Sequence, residues 1–495
     1  MKPDSRDRKP DNTPRDSPAG SAPAAGPKPG APRGPVENGW LPDCVYTGDK
    51  FESGLAFFAD ALGRITRFSR EPADLAIARR LAGQAALPGL VNTHSHAFHR
   101  AVRGRAEQRG RADRDALSSW REALDHAATR LSEEDIFDTA RMAFMEMLLS
   151  GITCVGEFHY LHHRPDGAPQ PDPNLISQEV IRAAHDIGIR IALLKAAWVR
   201  SDFRAVAGSA PARSATGATD QFVRDADALR TWVAKNYPAD DAWMGVAPFS
   251  LAAVPLDQLK AIGAYAHSQR LRLHVHVSTR AEENTACAAE YGRTPVALLA
   301  EHGLIDKRFT AIDAAHLTDD EVRLLGAARA MVCACPITGH NLGLGTAPVD
   351  KLIAAGAGVA LGTDSQVQID LLKDARLLEY QLRTQRQQRA VIGADVATTL
   401  FHAATFTGAR SLGATGGALE VGRPADFFTV NLFDPAIAGA DAGSLLANVV
   451  FALERRAIKD VWIGARQRLA NGRHALHGPI VGRFVESQAR LWAGS

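Results

Sequence analysis

The run Leu87-Pro-Gly-Leu-Val-Asn-Thr-His94-Ser95-His96 ends an apolar segment on two histidines separated by one residue. Side chains alternate faces along an extended strand, so His94 and His96 point one way and Ser95 the other. Two imidazoles on one face can grip one divalent ion. A second pair, His274 and His276, lies inside Arg272-Leu-His-Val-His-Val-Ser, and a third apolar run, Gly358-Val-Ala-Leu-Gly-Thr-Asp364-Ser, ends on a carboxylate. Taken alone, a His-x-His pair fits a core hydrogen bond as well as a metal site. Three such strand ends in one chain point to metal chemistry, because barrel enzymes place their reactive groups at the C-terminal ends of strands.

Elements that could bring these ends together recur along the chain. Strand-like runs are Ile152-Thr-Cys-Val, Ile189 through Leu194, Trp243-Met-Gly-Val-Ala, Leu273 through Val277, Phe309-Thr-Ala-Ile, Ala330-Met-Val-Cys and Val359-Ala-Leu-Gly. Between them, Asp220 to Lys235, Leu256 to Gln269 and Leu371 to Gln387 carry helical spacing. Ser132, followed by the acidic residues 133 to 135, announces a further helix that Gly151 ends, after a long polar connection containing Trp120 and Arg121. With the first metal strand, roughly eight strand-helix units result, the number that closes a parallel (β/α)8 barrel, a TIM-like α/β fold over residues 87–414. Short strands punctuated by Gly and Pro at 38–86 and 415–495 predict a small composite β-sandwich built from both chain ends. Residues 1–37, rich in Pro, Gly, Ala and charge, are expected to be disordered.

Composition narrows the function classes. The chain has 495 residues, 46% hydrophobic, with 57 Lys and Arg against 55 Asp and Glu. That balance supplies no basic field for nucleic acid. No uninterrupted apolar run is long enough for a membrane span, and the N-terminus lacks a signal-peptide core, so neither insertion nor export is expected. Five cysteines without framework spacing suit a reducing cytoplasm. Cys333-x-Cys335 sits in an apolar run and reads as ordinary packing.

His94-Ser-His96, His276 and Asp364, in this order on these strands, resemble the metal site of the amidohydrolase superfamily. Within it, the chain from about residue 40 onward is most similar to the formimidoylglutamate deiminases of bacterial histidine degradation. The stretches that carry this resemblance are His94-Ser-His-Ala-Phe, Glu157-Phe-His-Tyr-Leu-His-His163, Gly245-Val-Ala-Pro, Cys335-Pro-Ile-Thr with Asn341-Leu-Gly, and Gly362-Thr-Asp-Ser. The resemblance implies a metal held by His94, His96, His276 and Asp364, with Asp364 also taking a proton from the attacking water. Three imidazoles and a carboxylate suit zinc with one position left for water, although such sites also accept iron or nickel. Arg121, Tyr160 and His99 fall at the family's substrate-binding positions, where His99 replaces a Gln. A small-molecule substrate is implied, and a homodimer is compatible with the fold. Of the histidines in the Glu157 string, Tyr160 is the functional neighbour and His159, His162 and His163 are supporting; His340 reads as a loop residue.

Several positions depart from the family pattern. Thr279 stands where the family has a proton-shuttling Glu, and Asp313, three residues before His316, stands where it has a His on the sixth strand. Threonine cannot act as an acid near neutral pH, and loss of such a group costs on the order of 10² to 10⁴ in rate. Glu282 or Glu283 could restore a carboxylate only if the loop after His276 folds back. Phe249 and Ala252 replace a His and an Arg, removing two groups suited to a dicarboxylate, and Gln366 replaces a His. Arg280 beside Thr279 reads as an exposed loop residue. Three functions follow: a deiminase of N-formimidoyl-L-glutamate; a diverged metal hydrolase with Asp313 in an altered proton-transfer role and a less anionic substrate; or a metal-holding protein without turnover.

Overall fold

Barrel strands β1 (Leu90–Ser95), β2 (Ile152–His159), β3 (Arg190–Ala197) and β4 (Ala242–Pro248) are followed by β5 (Leu273–Val277), β6 (Phe309–Asp313), β7 (Met331–Ala334) and β8 (Gly358–Leu361). They hydrogen-bond in sequence order, all parallel, in a computed structural model that describes residues 37–108 and 116–494. The expected disordered segment lies outside the described residues except for Glu37. Ser95 and Asp364 form a parallel bridge that joins β1 to the chain just past β8, so the sheet closes as the strand count predicted. Every residue of β1, β2 and β3 is buried, which is why these strands read as continuous apolar runs rather than alternating ones.

The helices start and stop where local chemistry dictates. Ser132 Oγ accepts from the Asp135 amide while Asp135 Oδ2 accepts from the Ser132 amide, a capping box that opens the helix Glu133–Leu149. The polar connection expected around Trp120 is instead a helix, Ala116–Ala128, whose Trp120 is buried against the barrel mouth and whose Arg121 is exposed. The last segment also differs from expectation. Beyond Arg473–His474 the chain forms the helix His477–Leu491, which lies along Glu133–Leu149 and anchors there by Arg490 to Asp135 at 2.6 Å and Arg483 to Asp138 at 3.2 Å.

Both chain ends build one nine-stranded sheet. Arg79–Pro88 is its hinge, pairing parallel with Asn38–Tyr46 and antiparallel with Phe427–Asn431. Phe57 lies two strands beyond that pair, yet its ring centroid is 5.0 Å from Phe427. Three strand spacings in a flat sheet would separate them by about 14 Å. The sheet therefore folds over its own aromatic core of Trp40, Phe57, Phe427 and Trp462, and so forms the small β-layered unit expected from both chain ends. Among the described residues no helix is long and apolar enough to cross a membrane.

The curled sheet feeds the barrel directly, because Gly89 alone separates Arg79–Pro88 from β1. A Cβ at Gly89 would lie 2.2 Å from Thr153 Oγ1, so this close approach admits only glycine. Nearby, Arg190 at the start of β3 makes a two-pronged ion pair with Asp426, at 2.6 and 3.0 Å, and Asp426 also accepts from the Gly464 amide at 2.7 Å. Both side chains are buried. Without Asp426 the buried Arg190 keeps only the more exposed Asp241, at 2.6 Å, so Asp426→Ala is expected to cost about 3 kcal/mol in denaturant unfolding. A loss below about 1 kcal/mol would show that this pair does not hold sheet to barrel.

Candidate metal centre

Four side chains converge at the C-terminal mouth of the barrel. His94 and His96 come from β1, His276 from β5 and Asp364 from the turn after β8, and their ligating atoms all lie within 4.8 Å of one another. His94 Nε2 and His96 Nε2 are each 3.3 Å from Asp364 Oδ1. The second His-x-His pair contributes His276 alone. His274, two residues back along β5, lies one layer deeper in the barrel and stays outside this group.

The tautomers are set by backbone carbonyls. His96 Nδ1 donates to Phe158 O at 2.7 Å and His276 Nδ1 donates to Phe249 O at 3.2 Å, so each ring turns an unprotonated Nε2 toward Asp364. His94 is fully buried, and neither of its ring nitrogens has a protein hydrogen-bond partner. A buried polar group left so costs about 1–3 kcal/mol, a cost that coordination removes. Burial and the neighbouring imidazoles hold His94 and His96 far below the ordinary imidazole range, and burial lowers His276 as well. Neutral imidazoles are what a metal requires. The donor set therefore fits a divalent ion.

Asp364 has φ 45° and Asp313 has φ 65°, a left-handed backbone that non-glycine residues adopt rarely and mostly at functional sites. Thr279 and Asp313, which the sequence marked separately, meet here: Thr279 Oγ1 donates to Asp313 Oδ2 at 2.9 Å. Burial, then the Asp364 carboxylate, push Asp313 well above the usual carboxylate range. The loop after β5 does fold back, and it is Glu283 that returns: its Oε2 accepts from the Thr279 amide at 2.9 Å, and burial pushes this carboxyl up to about 7. Glu282 instead stays exposed beside Arg280 at 3.4 Å. His316 turns away to donate to Leu344 O at 2.7 Å.

One wall of the mouth is aromatic. His99 and Tyr160 share a 2.7 Å hydrogen bond, and Trp120 packs edge-on against His99. Phe249 stacks on His276 at 4.9 Å and on Trp198 at 4.1 Å. Arg121 is exposed; its charge acts on Asp125, whose own charge reaches Tyr160 at the rim. His159, His162 and His163 each donate to a main-chain carbonyl, while His340 lies exposed on the short helix Pro336–Leu342 rather than in a loop.

A model of the family described as "Amidohydrolase family" matches residues 85–473. The formimidoylglutamate deiminase of Pseudomonas aeruginosa is 34% identical over 420 residues, covering 84% of this chain and 91% of that protein. This chain belongs to the amidohydrolase family. The crystal structure of an amidohydrolase from Brucella melitensis superposes with a TM-score of 0.85 at 29% identity, covering 92% of this chain and 100% of that one. An adenosine deaminase from Xanthomonas campestris, solved with bound zinc, shares the fold with a TM-score of 0.78 at 22% identity, over 93% and 99% of the two chains. As an amidohydrolase, the protein is a metal-dependent hydrolase of C–N bonds.

Sequence reasoning did not single out the groups that hold this amidohydrolase's ligand strand in place. Ser95 Oγ, on the opposite face from the ligands, donates to Glu157 Oε2 at 2.6 Å and accepts from Gln366 Nε2 at 2.8 Å, while the Ala97 amide donates to Glu157 Oε1 at 2.6 Å. The available signal was a glutamate inside an otherwise apolar strand. Burial pushes Glu157 from 4.5 up to about 8, so between these values the folded chain keeps a proton that the unfolded chain has released. Its contribution to stability falls as pH rises across that window, by about 1.4 kcal/mol per pH unit for one proton. The buried neutral imidazoles of His94, His96 and His276 contribute with the opposite sign, so the readout is the difference between wild type and Glu157→Gln. In chemical denaturation from pH 5 to about 8 the wild type is expected to lose stability relative to Glu157→Gln by this slope; parallel curves would refute the assignment.

Proposed function

We propose that this amidohydrolase hydrolyses N-formimidoyl-L-glutamate to N-formyl-L-glutamate and ammonia, using zinc held by His94, His96, His276 and Asp364. The observation that carries the reading is the convergence of those four donors beside a carboxyl group, Asp313, fixed by Thr279 at 2.9 Å. Identity to the Pseudomonas aeruginosa deiminase over most of both chains supports the substrate, and the neutral-imidazole donor set supports zinc.

A divalent ion held by His94, His96, His276 and Asp364 would lower the pKa of a bound water and so supply the nucleophile for the substrate's amidine carbon. The residues of the chain do the rest. Asp364, within reach of both His94 and His96, accepts the proton that the water gives up as its oxygen bonds to the amidine carbon. Asp313 gives its proton to the departing nitrogen, the duty that Thr279 cannot perform, takes the proton of the new hydroxyl as the carbonyl forms and passes it to the same nitrogen, so that ammonia leaves as the C–N bond breaks; the proton held by Asp364 then restores Asp313. Thr279 acts by donating to one Asp313 oxygen and so aiming the carboxyl group. Tyr160 and His99 hold each other against the aromatic wall, and Arg121 at the rim meets a substrate carboxylate.

A second reading is favoured by one feature. Phe249, where the family resemblance places a His, stacks between Trp198 and His276, and Ala252 stands where it places an Arg, which suits an amidine with less negative charge. Comparing N-formimidoyl-L-glutamate with N-formimidoylglycine by ammonia release separates the two readings. The expected outcome is turnover of the glutamate derivative by enzyme loaded with one equivalent of metal, loss on chelation, and a kcat lower by about 10² to 10⁴ in Asp313→Asn with that one equivalent still bound. No ammonia from the glutamate derivative with metal bound overturns the first reading, and preference for the glycine derivative establishes the second.

A further inference from the structure

Next to the four-ligand group lies a second set of donors. Asp313 ends β6, Cys335 follows β7 and Asp364 follows β8, and one ligating atom of each lies within 4.8 Å of the others. Thr279 engages Asp313 Oδ2, which leaves Oδ1 for another partner. Asp313 and Cys335 also line a cavity of about 20 Å³, enough for one water or one ion and too little for an organic ligand. Gln381, on the helix Leu371–Arg386, lines the same cavity; it is 8% exposed, and neither its amide oxygen nor its nitrogen has a hydrogen-bond partner in the protein. A buried amide with both ends unmatched calls for a partner from outside the chain, a water or an ion.

We propose that Asp313, Cys335 and Asp364, with Gln381 behind them, form a second and weaker metal site that shares Asp364 with the first. A thiolate with carboxylate oxygens selects a borderline or thiophilic divalent ion such as zinc, cobalt or cadmium over magnesium or calcium. On binding, the Cys335 thiol and the Asp313 carboxyl each give a proton to solvent, and the sulfur and a carboxylate oxygen bond to the ion. The site is weaker than the first because it offers one fewer side chain among these groups and must deprotonate a buried thiol. Cys335 thus leaves the packing role its apolar neighbourhood implied, whereas Cys333 stays in the barrel wall. An ion here ties up both carboxylates assigned to proton movement, so occupancy stops turnover. That inhibitory consequence rests on the reaction proposed above; the binding itself does not.

Titration of cobalt into the metal-free full-length protein tests the site without any substrate. The wild type is expected to bind two equivalents, with a near-ultraviolet thiolate-to-cobalt charge-transfer band growing only with the second. Cys335→Ser is expected to bind one equivalent without the band, and Asp313→Asn, which keeps the thiol, to lose the second equivalent as well. A single equivalent in the wild type, or a band that survives Cys335→Ser, overturns the proposal; Asp313→Asn decides it should Cys335→Ser fail to fold. In an ammonia-release assay, excess zinc should then inhibit the wild type and spare Cys335→Ser. A second equivalent that binds and leaves turnover unchanged overturns the inhibitory role alone, whereas absent turnover at one equivalent counts against the proposed substrate and leaves the metal count standing.

Discussion

Closure of the barrel runs through the backbone of the converging donors themselves. The His96 amide donates to Asp364 O at 3.2 Å, and the Asp364 amide donates to His94 O at 3.0 Å. These bonds join the first strand to the last, and they are made by three of the four residues whose side chains meet at the centre. Asn92 repeats the link one layer below, accepting from the Thr363 amide at 3.0 Å and donating to Thr363 Oγ1 at 2.8 Å. The geometry of the site and the closure of the fold are therefore one constraint. It also accounts for the left-handed backbone at Asp364: a residue can be held at φ 45° when hydrogen bonds on both sides of it fix the chain.

The same constraint explains why the metal face and the bracing face of β1 carry different chemistry. His94 and His96 look into the mouth, whereas Ser95 between them looks outward to Glu157 and Gln366. A one-residue slip would exchange the two faces, so the buried hydrogen bonds of Ser95 fix the register on which both imidazoles depend. Glu157 is buried with two donors on its carboxyl group and Gln366 completes the chain of polar contacts toward Thr363 at 3.0 Å. Satisfied on every side, such a network stiffens the strand it surrounds.

Much of this was legible in the sequence, because it followed from local rules. Strand period put His94 and His96 on one face, Ser132 with its acidic followers opened a helix, and apolar runs of strand length recurred often enough to count a barrel. What escaped was set by contacts between residues distant in sequence. The helix Ala116–Ala128 buries Trp120, Ala123 and Ala127 on one face, and its place is fixed by Trp120 packing on His99. The terminal helix His477–Leu491 is anchored by ion pairs to residues 135 and 138, far back along the chain. The curl of the terminal sheet depends on Phe57 meeting Phe427, which no window of sequence contains. Thr279 and Asp313 illustrate the limit most sharply, since each looks like a loss when read alone, and their hydrogen bond turns the two changes into one rearrangement.

That rearrangement moves a carboxyl group rather than deleting it. Where the family resemblance places an acid after β5 and an imidazole at the end of β6, this chain has a hydroxyl and an acid, so the acid now stands beside Asp364. Two carboxylates this near each other in a buried site repel, and the pocket holds both only if a proton or a cation offsets the excess charge. A proton leaves Asp313 able to donate to a departing nitrogen. A cation bridging to Cys335 takes the same place and removes that ability. In the reaction and second site proposed above, the exchange of Thr279 and Asp313 would couple acid catalysis to metal level at one pair of carboxyl groups, a coupling that an imidazole at the end of β6, neutral when unprotonated, would not create.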